Sequence, residues 1–363
     1  RVLFRSNNFS CIMANVIKIK KGLDINLKGK ASDVLLNGGK SESYAIVPDY
    51  YNGILPKVVA KVGEKVKAGS VLMIDKNRPE IKFVSPVSGE VTAVNRGEKR
   101  KVLSIVVKPD AQIEYEEFGK KNVASLQGAE VKEVLLNAGM WPFIKQRPYD
   151  IVAAPLDTPR DIFVSAFYSA PLAPNFDFIV KGQEADFQTG LNALAKLTNG
   201  KVYVGVRSGS VVSGMKGVEI VEVEGPHPAA NVGVQINHIK PVNKGEVVWT
   251  VNPADVIVIG RLFNKGVADF SRMVAITGSE TTERGYVKTI SGCTIKSLVN
   301  GKVLGQEHIR IISGNVLTGT KVNMDGYLGA YDNQITVIPE GDETHEFLGF
   351  AMQIGRASCR ERV

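Results

Sequence analysis

The chain has 363 residues, 44% of them hydrophobic and 23% charged, with a formal net charge of +8 and three cysteines. That length exceeds a single hydrophobic core and calls for two to four domains. No apolar run reaches the ~18–20 residues of a membrane-spanning helix, so the sequence contains no predicted transmembrane segment.

Both ends are set aside before any further counting. Arg1–Ser6 and Ile354–Val363 read as translated adapter DNA, residues 7–12 as upstream sequence, and Met13 as the start; residues 341–353 read as the beginning of a truncated C-terminal region. Without Arg1 and Arg5 at one end, and Arg356, Arg360, Arg362 and Glu361 at the other, the net charge falls to +4. That is an ordinary solvated surface, with no implication of nucleic-acid binding. Cys293 is then the remaining cysteine, expected as a small buried hydrophobe in a reducing, cytoplasmic compartment. One thiol supports neither a disulfide nor an iron–sulfur cluster nor a thiolate zinc site. The basic clusters Lys18, Lys20, Lys21 and Lys99, Arg100, Lys101 are expected on strand edges and turns.

In chain order, Val16 to Pro109 is predicted as short strands and turns, assigned to a first domain over 13–112. Val58–Leu72 alternates apolar and polar residues around Gly63 and Gly69. Together with Ser85-Pro86-Val87-Ser88-Gly89-Glu90-Val91, that stretch resembles the barrel-sandwich hybrid of biotinyl and lipoyl domains. A carrier lysine in such a fold sits at a tight hairpin tip, whereas Asp75-Lys76 runs into Asn77-Arg78-Pro79-Glu80, a longer loop. Lys76 is read as a surface lysine; a biotinyl- or lipoyl-type carrier using Lys76 is the alternative.

The second domain is drawn over 113–262. Tyr115–Gly139 is predicted helical, with Gly139 as its stop, and Met140-Trp141-Pro142-Phe143 leaves it as an exposed or anchoring aromatic cluster. Strands are predicted at Ile151–Ala154, Ile162–Ala166 and Lys201–Val206, with an amphipathic helix over Glu184–Leu197 capped by Asn199-Gly200. Alternating strands and helices predict a three-layer, Rossmann-like α/β domain. It has no Gly-x-Gly-x-x-Gly after a strand, and the chain has no Walker A sequence, which argues against nucleotide or flavin binding here. Gly225-Pro226-His227-Pro228-Ala229 is too rigid for helix or central strand, and is expected to present backbone or side chain to something. A third domain over 263–340 has strands at 273–278, 286–289, 309–314 and 334–339 around a short helix at 294–299, the pattern of a β-grasp (SLBB, ubiquitin-like) module. The expected fold class is therefore α+β and multi-domain.

Taken together, Val16–Asp24, Lys61–Val107, Gly139-Met140-Trp141-Pro142 with Arg147-Pro148, Ile162–Ala173, Gly225–Ala229, Ile312–Gly319 and Tyr327–Gln334 resemble the A subunit of the sodium-translocating NADH:quinone reductase (Na+-NQR). The resemblance implies a peripheral component on the cytoplasmic face of the bacterial inner membrane, within a respiratory translocase that oxidises NADH, reduces ubiquinone or menaquinone and exports Na+. FAD, FMN, riboflavin, the Fe–S centre and the sodium path are implied in the other components of the complex, its membrane-embedded B subunit being the expected neighbour. The resemblance also suggests a quinone-binding contribution, for which Trp141 and Phe143 offer flat apolar rings and Arg147 and His227 offer donors to a carbonyl. No catalytic or metal-binding residue is assigned. A stand-alone quinone-binding protein is the remaining alternative.

Overall fold

The computed structural model describes residues 15–305 and 307–342, so the expectations for residues 1–12, Met13, residues 343–353 and the 354–363 tail lie outside the described residues. The strands β1 (Asn15–Lys18) and β2 (Leu35–Leu36) come first. Neither pairs with a strand of the barrel-sandwich. β1 pairs in parallel with a strand some 200 residues away, and β2 adds to the last sheet of the chain. A short strand's partner is not encoded in its own alternation.

The barrel-sandwich comprises β3 (Tyr44–Ile46), β4 (Pro56–Val58), β5 (Lys65–Val66), β6 (Val71–Asp75), β7 (Lys82–Val84), β8 (Gly89–Arg96) and β9 (Val102–Pro109). A four-stranded sheet in the order β3-β9-β8-β5 faces a three-stranded sheet in the order β4-β6-β7. Their inward side chains, among them Leu72, Phe83, Val91 and Ile105, close the core between them. Lys76 is exposed in the loop after β6. That loop is pinned, because the buried carboxylate of Asp75 accepts from Arg78 Nε at 2.8 Å and from the backbone of Leu55 and Asn77.

The predicted long helix over 115–139 is corrected to α1 (Gly128–Asn137). Residues 114–121 instead run extended and bond to Ala68 on one side and to Phe263 and Gly266 on the other. The helix starts where Glu130 can accept from the backbone of Gln127 at 2.7 Å. The α/β domain continues with β10 (Ile144–Arg147), β11 (Ile151–Val152), β12 (Ile162–Ser165), α2 (Phe176–Val180), α3 (Glu184–Ala195), β13 (Val202–Val206), β14 (Glu219–Glu224), α4 (Val232–Ile239), β15 (Val248–Val251) and α5 (Pro253–Lys265). α3 ends at Lys196, so Asn199-Gly200 is a connection to β13 and not the cap.

The sheet order is β1-β14-β13-β12-β15-β10-β11. The first five strands are mutually parallel, and the last two pairings, β15 with β10 and β10 with β11, are antiparallel. Alternation along β12 sends Ile162 and Val164 into the main core and Phe163 to the opposite face, against Ile236 of α4 and Val248. α3 and α5 lie close together, and their glycines permit it. A methyl on Gly260 would stand 1.7 Å from Asp186 O, and one on Gly190 would stand 2.1 Å from Val256 O.

The β-grasp comprises β16 (Ser271–Thr277), β17 (Gly285–Ile290), α6 (Ile295–Val299), β18 (Ile309–Ser313), β19 (Thr320–Val322) and β20 (Gln334–Pro339). With β2 it forms a six-stranded sheet, β19-β18-β20-β16-β17-β2. Cys293 is fully buried there, and burial holds its thiol above the usual range. One continuous apolar core joins the three domains, with edge-to-face pairs Phe143–Phe270 at 6.1 Å and Tyr51–Tyr331 at 5.7 Å crossing the seams.

Candidate functional site

In an open parallel sheet, ligands gather outside the carboxyl ends of the strands where the winding reverses. Here β13 and β14 follow β12 on one side and β15 lies on the other, so the reversal falls between β12 and β15. A cavity of about 590 Å³ opens there. Ser165, Phe167 and Tyr168 line it from the end of β12, and Thr250, Val251 and Asn252 from the end of β15. Asn231, which precedes α4, and Phe143, Lys145 and Arg147 around β10 also line it, with Thr318 and Tyr331 contributed by the β-grasp.

Phe143 and Arg147 are thus brought together, and two residues that the sequence reading missed join them. Lys145 sits one position before Gln146, on the same strand face as Arg147, because side chains two apart share a face. Its Nζ lies 4.0 Å from the centre of the Tyr331 ring. Asp150 follows the cis Arg147-Pro148 bond with φ of 53°. Its carboxylate lies 3.7 Å from Lys145 Nζ and 3.4 Å from Arg147 Nη2. Arg147 Nε and Asp150 Oδ1 are buried atoms without a hydrogen-bond partner. The alternation Lys145–Gln146–Arg147 was visible in the sequence; its placement at the winding reversal was not.

Trp141 and His227 lie elsewhere. Trp141 is 0% exposed, its Nε1 donates to Ala153 O at 2.8 Å, and its ring meets Trp249 edge-on at 5.3 Å. It anchors the wall behind the cavity and does not reach it. His227 belongs to the turn that holds the N-terminal strap. Its N–H donates to Asp24 Oδ1 at 2.8 Å, its carbonyl accepts from Leu23 N at 2.9 Å, and its Nδ1 meets Ser169 Oγ at 3.0 Å. The backbone packs so closely that a side chain on Gly22 would start 2.2 Å from His227 O. What the proline-flanked turn presents is therefore its backbone, and what it presents it to is the chain's own N-terminal strap.

Beneath the cavity, Asp255 on α5 meets Arg272 on β16 at 3.0 Å, with side chains 1% and 2% exposed. Burial pushes the Asp255 carboxyl up to about 6, against the opposing pull of Arg272 and Lys145. The same burial raises the hydroxyls of Tyr51, Tyr168 and Tyr331 around it. Tyr168 donates to Asn252 Oδ1 at 3.0 Å, which ties this network to the cavity rim. Among the described residues no cluster of His, Cys, Asp and Glu is suited to a metal ion, and no helix is long and apolar enough to cross a membrane.

Comparison with known families matches residues 17–110 to the NqrA N-terminal barrel-sandwich hybrid domain, 126–268 to the NqrA second alpha/beta domain and 273–324 to the NQRA C-terminal (SLBB) domain. The A subunit of the Na(+)-translocating NADH-quinone reductase from Neisseria meningitidis serogroup A is 37% identical over 331 residues, 90% of this chain and 74% of the relative. Its counterpart in Yersinia pseudotuberculosis is 36% identical over 342 residues, 93% of this chain and 76% of the relative. Of solved structures, a NAD+-reducing [NiFe]-hydrogenase in the H2-reduced state overlays at a TM-score of 0.36 and 11% identity, over 50% of this chain and 41% of that one, too slight a likeness to bear on either fold or site. Identity spread over all three domains decides the assignment: the chain belongs to the NqrA family, the A subunits of the Na+-translocating NADH-quinone reductases.

Proposed function

We propose that this chain serves as the peripheral, non-redox component of a respiratory complex that couples NADH oxidation and quinone reduction to Na+ export. In this reading it lies on the cytoplasmic face of the inner membrane beside the membrane-embedded B subunit, while electrons pass through flavins and an Fe–S centre held by its partners. Identity along nine-tenths of the chain to proteins named as NqrA-type subunits supports it. Co-purification of the chain with the membrane components, and sodium-stimulated NADH oxidation in the assembled complex, are the expected results. A stoichiometric flavin on the isolated chain would overturn the non-redox role.

Within that role, the cavity at the winding reversal contributes to quinone binding. The observation that carries this reading is its wall: Phe143, Phe167, Tyr168 and Tyr331 supply flat apolar surface, and Arg147 and Lys145 supply donors within one cavity. Trp141 and His227 act on it only by holding the wall and the strap. Phe143→Ala and Arg147→Gln in the assembled complex are each expected to raise the quinone KM several-fold with assembly intact. An unchanged KM in both variants removes the quinone reading.

A further inference from the structure

We propose that this cavity selects quinones bearing a negative charge, that is ring-hydroxylated quinones in ionised form, over neutral quinones of the same size, and that Lys145, Arg147 and Asp150 set the preference. The inference rests on the quinone reading and adds the charge state of the ligand.

Lys145, Arg147 and Asp150 are the charged residues on the cavity wall. Two cations share one carboxylate on the wall itself, and the other carboxylates that attract Lys145, Asp255 and Asp332, are buried behind it. The sharing is also loose. Neither cation reaches hydrogen-bond distance of Asp150 with its charged nitrogens, at 3.7 and 3.4 Å. Arg147 Nε, buried and unpartnered, is a donor left over. The rest of the wall supplies no negative charge, since Ser165, Tyr168, Asn231, Thr250, Asn252 and Thr318 are neutral.

The helices add to the same field. α4 begins after Asn231 and α5 after Asn252, both on the wall, and helix starts carry partial positive charge. A neutral carbonyl oxygen gains one hydrogen bond from such a wall. An ionised ring oxygen gains a charge-assisted bond from Arg147 or Lys145, in surroundings less polar than water.

The test compares 2-hydroxy-1,4-naphthoquinone, ionised at neutral pH, with 2-methoxy-1,4-naphthoquinone, which has no ionisable group, by isothermal titration calorimetry on the whole chain. The hydroxy compound is expected to bind about tenfold tighter, the difference between a hydrogen bond to a charged group and one between neutral groups. Arg147→Gln and Lys145→Gln should each erase most of that ratio. Asp150→Asn, which removes the competing carboxylate at a left-handed position that Asn tolerates, should widen it several-fold by tightening the hydroxy compound. A merely structural role for these residues produces no gain in the last variant. Equal affinities, or a ratio that fails to fall in the two cation variants and rise in D150N, overturn the charge preference and leave the quinone reading standing. Failure of both compounds to bind overturns both.

Discussion

Replacing Arg272 by Met tests the buried pair that fastens α5 to the β-grasp. At 3.0 Å, with both side chains nearly inaccessible, the attraction is on the order of 5 kcal/mol at an effective dielectric of about 20. Desolvation offsets much of that gain, and Asp255 Oδ2 and Arg272 Nε, both buried without hydrogen bonds, show that the pair is incompletely satisfied. Removing one partner is a different matter, because it strands a carboxylate in the core, and at pH 8 we expect R272M to lose ~3–5 kcal/mol. The loss should depend on pH. The folded carboxyl, at about 6, lies above its ordinary 3.8, so the stability it contributes is complete below that ordinary value and is lost as pH rises through about 6. At pH 5 the group is largely protonated, Arg272 has no ionised partner to lose, and the defect should shrink to ~1 kcal/mol or less. Urea unfolding followed by tryptophan fluorescence at pH 5 and 8 measures this, with D255N and the double variant closing the cycle. The double variant should recover most of the loss at pH 8. An equal defect at both pH values, or no recovery, refutes the reasoning.

Trp141→Ala should lower unfolding stability by ~3–5 kcal/mol, since it empties a fully buried indole site and removes the bond to Ala153; a change below 1 kcal/mol in urea denaturation would contradict the anchoring role. Gly260→Ala places a methyl 1.7 Å from Asp186 O and should cost ~3 kcal/mol by forcing α3 from α5, visible as a lowered midpoint in the same assay. Intact mass of the chain from its native host should show no biotin or lipoate, because Lys76 emerges from a loop that Arg78 and Asp75 pin to the domain surface; an added mass on Lys76 would restore the carrier reading.

The legible parts of the fold were those written in local periodicity. The alternation of Val58–Leu72, the amphipathic run of α3 and the order of strand and helix in the β-grasp each depend on neighbours a few residues apart, and each led to the right module. Misplaced elements had distant partners. β1 reads as a strand in any context, yet Glu222 and Val223 decide where it lies. Residues 115–121 had helical composition, but bonds to Ala68, Phe263 and Gly266 hold them extended. The site divided along the same line. Phe143 and Arg147 were singled out by residue type and line the proposed cavity, whereas Lys145 and Asp150 acquire meaning only from the sheet order that puts β10 next to β15. Trp141 and His227 were singled out for their chemistry, and the structure gives both of them packing partners.

The threading of the first residues bears on how the chain is made. The slot of β1 beside β14 does not exist until some 200 further residues have been made, and the neighbour of β2 appears later still. Until then the leading segment waits unpaired, with Leu23 and Leu35 exposed even in the finished molecule. Its docking therefore follows the making of both sheets that receive it, and ties the α/β sheet to the β-grasp sheet.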